Sequence, residues 1–94
     1  MSETGAASGL RTCAPRPNPA SGAAAIPFSL PETGRVRLAV YDVLGREVAV
    51  LVDAEVAAGR HEAGLDAGRL AAGVYVVRLA TADSVQARRL TVAR

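Results

Sequence analysis

The chain has 94 residues and a formal net charge of +2 at pH 7, which allows one small domain and gives no indication of a polyanionic partner such as nucleic acid. Half of the residues are apolar but only 3% are aromatic, so the core must be aliphatic, and a sugar-binding platform of exposed rings is disfavoured. The single cysteine, Cys13, excludes an intrachain disulfide and a metal site of spaced cysteines, and no apolar run is long enough to span a membrane.

Residues 1–22 are expected to form a flexible leader or linker. They are rich in Gly, Ala, Ser and Pro, they include a proline-rich run at 15–19, and they show no apolar period. Residues 1–10 lack the basic and apolar regions of a signal peptide, so we expect that any export signal lies elsewhere or has been lost. Residues 23–94 alternate short apolar segments with turn residues, which predicts one folded domain.

The first predicted strand places Ile26, Phe28 and Leu30 on one face, following the two-residue period of an extended chain. Pro27 cannot donate a hydrogen bond to a ladder, which predicts a position at a sheet edge. Residues 31–34 then form a predicted turn.

The second and third predicted strands form a hairpin. Alternate apolar residues over 36–40 give the second strand one inner face, and residues 42–46 reverse the chain, with Gly45 able to take a positive φ. The residues of the third strand expected to share one face are Val48, Val50 and Val52.

Three further strands are predicted after Gly59, over 74–80 and over 85–92. His61, Ala63 and Leu65 share one face of the first of these strands, and Tyr75, Val77 and Leu79 share one face of the second. Leu90 and Val92 share the inner face of the last strand. No segment has a helical period of useful length, so the pattern predicts an all-β fold, an antiparallel β-sandwich of about six to seven short strands.

No pattern of catalytic or metal-binding residues is found. His61 is the only histidine and no nucleophile elbow accompanies it, so it is expected at the surface or rim of its strand. Asp42, Asp53, Asp66 and Asp83 fall at predicted turns, where aspartate caps the backbone. The sequence therefore predicts no enzyme activity, no cofactor and no metal site.

Residues 30–34 spell Leu-Pro-Glu-Thr-Gly, the motif that Gram-positive sortases cleave. That signal requires a following apolar span and a basic tail, and nothing after residue 34 could cross a bilayer. A turn between two strands is therefore the favoured interpretation, with Pro31 setting φ and Gly34 closing the turn.

Four motifs resemble a known family when they are taken in order. They are Pro17-Asn18-Pro19, Ile26-Pro27-Phe28-Ser29-Leu30-Pro31, Val40-Tyr41-Asp42-Val43-Leu44-Gly45-Arg46-Glu47-Val48 and Gly73-Val74-Tyr75-Val76-Val77-Arg78-Leu79. With a basic terminal strand, they resemble the type A C-terminal sorting domain of the type IX, or Por, secretion system over about residues 15–94. That family is related to the Ig-like domain of flagellar hook-capping proteins, so the resemblance implies an Ig-like β-sandwich.

The resemblance implies a non-enzymatic sorting domain fused to the C-terminus of an exported cargo. Its implied partners are that N-terminal cargo, an outer-membrane translocon and a sorting peptidase that cleaves upstream, and its implied route leads through the periplasm to the cell surface. Carried over by position, the residues implied to be read by the translocon are Gly73, Tyr75, Arg88, Arg89, Leu90 and Val92. The family commonly has lysine at the two arginine positions, so the charge is kept while a strict lysine requirement is not met.

Other interpretations of these residues stay open from the sequence alone. Gly73 and Tyr75 also fit a turn glycine and a buried tyrosine with a hydrogen-bonded hydroxyl. Arg88 and Arg89 also fit a charged edge that discourages aggregation, and an exposed last strand would suit edge pairing. The alternative function is a structural Ig-like assembly module of the hook-capping type.

Overall fold

A computed structural model describes residues 11–12, 16–17 and 20–93. Within these ranges the strands are β1 (Arg11–Thr12), β2 (Ala23–Leu30), β3 (Gly34–Tyr41), β4 (Glu47–Val56), β5 (Gly59–Asp66), β6 (Gly73–Ala80) and β7 (Val85–Val92). A single 3-10 turn, Ala67–Arg69, connects β5 to β6. Strand formation follows from the alternation of apolar and polar residues, since every second side chain faces the core.

The strands form two sheets with antiparallel pairing, in the orders β1-β2-β5 and β4-β3-β6-β7. In the four-stranded sheet, β4 lies beside β3 at the edge. Some Ig-like sandwiches carry an extra strand at this position. The predicted all-β sandwich is therefore confirmed.

The core lies between the inner faces of the two sheets. Its largest fully buried aliphatic side chains are Ile26, Leu38, Leu79, Leu90, Val36, Val40 and Val77. Each such side chain contributes roughly 1.5–3 kcal/mol on burial. The faces predicted for β2, β3, β6 and β7 are confirmed, and Ala63 and Leu65 of β5 are also buried.

Strand β4 differs from its predicted facing. Val48 and Val50 are 40% and 45% exposed, whereas Ala49, Leu51 and Val52 pack against the core. Two register shifts in the β3–β4 pairing insert extra residues into β4, and each insertion changes which side chains face inward. The predicted shared face was therefore wrong for Val52, which packs against the core while Val48 and Val50 are exposed.

The predicted edge position of Pro27 was also wrong, because β2 is the middle strand of its sheet. Its neighbour on one side is short: β1 pairs only with Phe28 and Ser29, and a separate bridge joins Arg16 to Ala25. Pro27 lies between these two contacts, so neither described pairing requires its missing N–H.

Some residues ahead of β2 contact the sandwich. Thr12 and Ala20 are both fully buried, and Ala20 forms a parallel bridge with Val92. Cys13 and most of the proline-rich run lie outside the described residues. The domain boundary at residue 22 therefore remains a prediction.

Candidate recognition site

All six candidate recognition residues lie on the antiparallel β6–β7 hairpin. The register places Gly73 opposite Val92, Tyr75 opposite Leu90 and Arg89 opposite Val76. The two segments, 73–75 and 88–92, thus lie side by side on two neighbouring strands.

Three of these residues belong to the core. Tyr75 is 8% exposed, and Leu90 and Val92 are buried. The Tyr75 hydroxyl donates to the carbonyl oxygen of Ala71 at 2.6 Å, the arrangement of the tyrosine corner found in Ig-like sandwiches. The expectation of a buried tyrosine with a hydrogen-bonded hydroxyl is confirmed. The three buried side chains pack the inner face of the hairpin against the core.

The two terminal arginines point to opposite faces of β7, as the strand period requires. Arg88 Nε donates to the backbone oxygen of Thr12 at 2.9 Å, across 76 residues of sequence. The backbone N–H of Thr12 donates to Oε1 of Gln86 at 3.0 Å. Arg89 is exposed on the outer face of the sheet. Arg88 therefore holds the N-terminal part of the chain, while Arg89 faces outward.

Gly73 begins β6 at the end of the sandwich where β7 ends. It is exposed and has a φ of +153°. No neighbouring atom would contact an added Cβ, so the backbone conformation, and not a lack of space, favours glycine here.

Strand β7 is an edge strand whose last part is covered by Ala20. The N–H of Ala20 donates to the oxygen of Thr91, and the N–H of Ala93 donates to the oxygen of Ala20, both at 2.8 Å. The roles of Thr12, Ala20 and Gln86 were not predicted, because no local pattern indicates a contact with a strand more than 70 residues away.

The outer face of the four-stranded sheet carries two ion pairs between β3 and β4. Arg35 pairs with Asp53 at 2.9 Å, and Arg37 pairs with Glu47. The hydrogen bond to Glu47 is the main cause of a raised pKa at Arg37. Both pairs lie on the β3–β4 half of the face, and Arg78 and Arg89 lie on the β6–β7 half.

The tip of the β3–β4 hairpin is held by Asp42. Its Oδ1 accepts from the backbone N–H groups of Leu44 and Arg46 at 2.9 and 3.0 Å, and its Oδ2 accepts from Arg46 Nε at 3.0 Å. The backbone hydrogen bond from Arg46 is the main cause of a lowered pKa at Asp42. Gly45 has the expected positive φ, +83°. Val43 and Leu44 are left exposed at the tip.

The His61 ring contacts other residues of the sandwich. Its ring stacks on Phe28 with centroids 5.4 Å apart, and its Nε2 lies 2.6 Å from the oxygen of Ala57. It is half-buried, at the rim of the core, as predicted. Among the described residues, no group of three or more His, Cys, Asp or Glu side chains could hold a metal ion.

The other predicted turn positions have mixed outcomes. Asp66 accepts from the N–H of Gly68 as a cap, but Asp53 lies within β4, where it pairs with Arg35, so its prediction as a turn residue was wrong. The Leu-Pro-Glu-Thr-Gly segment connects β2 to β3, as the turn interpretation predicted. In the described ranges, no helix has the length and apolar character needed to cross a membrane.

Comparison with models of known protein families gives a match. A family model described as the secretion system C-terminal sorting domain matches residues 16–93, which include β2 to β7. No curated protein and no solved structure gives a significant match. The matched family is defined by sorting signals and is not an enzyme family.

Proposed function

The chain belongs to the family of secretion system C-terminal sorting domains, the sorting signals of type IX secretion, and we propose that it directs an N-terminally fused cargo through an outer-membrane translocon to the cell surface. The match over residues 16–93 carries this proposal, since it includes the whole terminal hairpin. The same match favours sorting over a hook-capping assembly role.

The translocon is proposed to read the terminal hairpin from outside. Arg89 and Gly73 are exposed. Tyr75, Leu90 and Val92 are buried, so their contribution is to hold the hairpin in shape. This division supports direct recognition at the exposed positions and indirect effects at the buried ones.

A sorting peptidase is proposed as the second partner, acting on the polypeptide upstream of the sandwich. The chain itself is proposed to be a non-catalytic signal that needs no cofactor. On this proposal the domain passes through the periplasm with its cargo before it reaches the surface.

The test is an export assay with the whole chain, fused behind a signal peptide and a reporter in a type IX-competent cell. Arg89→Glu reverses the charge of an exposed residue on β7, and Arg60→Glu makes the same change on β5 of the other sheet. We expect the wild type and Arg60→Glu to reach the surface, and Arg89→Glu to remain in the periplasm.

Retention of the wild-type fusion in the periplasm would contradict the sorting role. Equal export of both variants would leave sorting intact and would remove Arg89 from the recognition surface. Thermal unfolding of each purified variant checks that it is folded. A loss of export can then be distinguished from a loss of folded structure.

A further inference from the structure

The β3–β4 turn, residues 42–46, holds two large apolar side chains in solvent, and we call it the tip. Val43 and Leu44 are 75% and 73% exposed, the highest values among the large hydrophobic side chains that the structure describes. Besides the contacts of the Asp42 side chain, the backbone N–H of Asp42 donates to the oxygen of Arg46 at 2.9 Å. Because these bonds hold the turn in one conformation, the tip loses little conformational entropy when it binds.

Arg46 adds a hydrogen-bond donor to the tip. Its Nε donates to Asp42 at 3.0 Å, and its side chain is 73% exposed. Within the described part of the chain, its two terminal amino groups have no partner. A guanidinium group binds carboxylates through several N–H groups at once. The tip therefore combines two apolar side chains with a donor for a carboxylate of a partner.

A cavity of about 490 Å³ lies at the other end of β3, between the β2–β3 turn and the β6–β7 turn. Strand β3 has eight residues, so the cavity is about 27 Å from the tip at about 3.4 Å per residue. The apolar residues that line it are Leu30, Pro31, Val36 and Ala82. Its volume is within the range of about 300–1,000 Å³ that is typical of ligand pockets, so it has room for two aliphatic side chains.

The cavity also carries negative charge. Glu32 on the β2–β3 turn and Asp83 on the β6–β7 turn both line it, and both are exposed. Neither carboxylate has a hydrogen bond or an ion pair among residues 11–12, 16–17 and 20–93. The one basic residue in the described lining, Arg35, is paired with Asp53 at 2.9 Å. The cavity therefore complements the tip in charge as well as in apolar character.

We propose that the tip of one copy of this chain inserts into the cavity of a second copy. Val43 and Leu44 then lie against the apolar lining, and Arg46 binds the carboxylates of Glu32 and Asp83. Because the two surfaces lie at opposite ends of the same sandwich, the contact is head-to-tail and each added copy offers a new free end. A tip of five residues buries a small area, so the association is weak and requires high protein concentration. This contact does not rest on the proposed function.

Sedimentation equilibrium of the whole chain tests the contact, in a reducing buffer so that Cys13 does not link two copies. We expect the mean mass to increase with concentration beyond that of a dimer. Leu44→Asp places a carboxylate on the tip, and Ala82→Arg places a large cation in the cavity. Each should weaken association about tenfold or more, as for residues that anchor an interface. Val50→Asp makes a matched apolar-to-acidic change at a 45% exposed position of β4, outside both surfaces, and should have no effect.

A mixture of the two variants tests the head-to-tail direction. Leu44→Asp keeps an intact cavity and Ala82→Arg keeps an intact tip, so together they should form a one-to-one dimer that cannot extend. When unlabelled Ala82→Arg is added to ¹⁵N-labelled Leu44→Asp, the amide resonances of Thr33 and Asp83 should shift, while that of Gly45 should not. The dispersed spectrum of each variant also shows that it is folded.

Three results would overturn the proposal. The first is a wild-type chain that stays monomeric at about 1 mM. The second is self-association of Ala82→Arg while Leu44→Asp is monomeric, because the tip would then bind a surface other than the cavity. The third is loss of export in Leu44→Asp together with a monomeric wild type, which would assign the tip to a different protein.

Discussion

Asp42 stabilises the β3–β4 turn through three hydrogen bonds, and all of them favour its charged form. Its folded-state pKa is lowered from 3.8, chiefly by the backbone hydrogen bond from Arg46. A depressed folded-state pKa adds stability that is fully present above the unfolded pKa and is lost as the pH falls through the folded value.

We therefore expect Asp42→Asn to lower the urea midpoint at pH 7, and the difference from the wild type to shrink once the pH falls below about 4. Urea unfolding between pH 7 and pH 2 measures this. Asp83→Asn is the matched control, because the described residues offer no hydrogen bond to the Asp83 side chain. A difference between Asp42→Asn and the wild type that stays constant down to pH 2 would contradict the assignment.

Tyr75 contributes a hydrogen bond as well as buried ring area. Tyr75→Phe leaves the Ala71 carbonyl without its partner, so we expect a loss of about 1 kcal/mol and a fall in Tm of about 4–8 °C. Tyr41→Phe is the comparison, since that half-buried hydroxyl bonds only to side chains, at 3.2 and 3.4 Å. Thermal unfolding of the two variants should rank them in that order, and equal losses would count against the tyrosine corner.

At the residue scale, the contacts of a side chain could be predicted from the sequence where its burial determines them. The strand period places Tyr75 inside, and a buried hydroxyl needs a partner, so its hydrogen bond could be predicted although Ala71 could not. The role of Arg88 could not be predicted, because its acceptor lies 76 residues away and β1 has no strand signal of its own.

At the scale of elements, β4 is the strand whose inner face could not be predicted from apolar alternation. Its alternating valines fit a regular strand, but the pairing with β3 shifts register twice, and a bulge depends on the partner strand as much as on the local sequence. Strands β5, β6 and β7 pair without a shift, and their inner faces were predicted from the same rule.

The corrected facing of β4 makes a direct prediction. Val52→Thr places a hydroxyl against the core and should cost about 1 kcal/mol, while Val50→Thr lies on the exposed face and should stay within about 0.5 kcal/mol of the wild type. Both variants make the same Val→Thr change, so urea unfolding compares the two positions directly. Equal losses would restore the regular alternation, which puts both valines on one face, and would remove the bulge between them.

At the scale of the whole molecule, β7 is part of the core as well as an edge. It supplies Leu90 and Val92, it covers one side of β6, and it holds Thr12 through Arg88. Each of the two buried side chains contributes roughly 1.5–3 kcal/mol, and a domain of this size has a total stability of about 5–15 kcal/mol. The last strand is therefore needed for folding, whatever else recognises it.

Removal of residues 88–94 should accordingly unfold the sandwich. We expect the amide resonances of the truncated chain to collapse to unfolded positions, while full-length Arg89→Glu keeps the dispersed spectrum of the wild type. Loss of export on truncation would then follow from unfolding and would not identify a recognition surface, whereas loss of export in folded Arg89→Glu would. A truncated chain with a dispersed spectrum would show that β1 to β6 fold alone, and that β7 is free to act as a docking strand at little cost to the core.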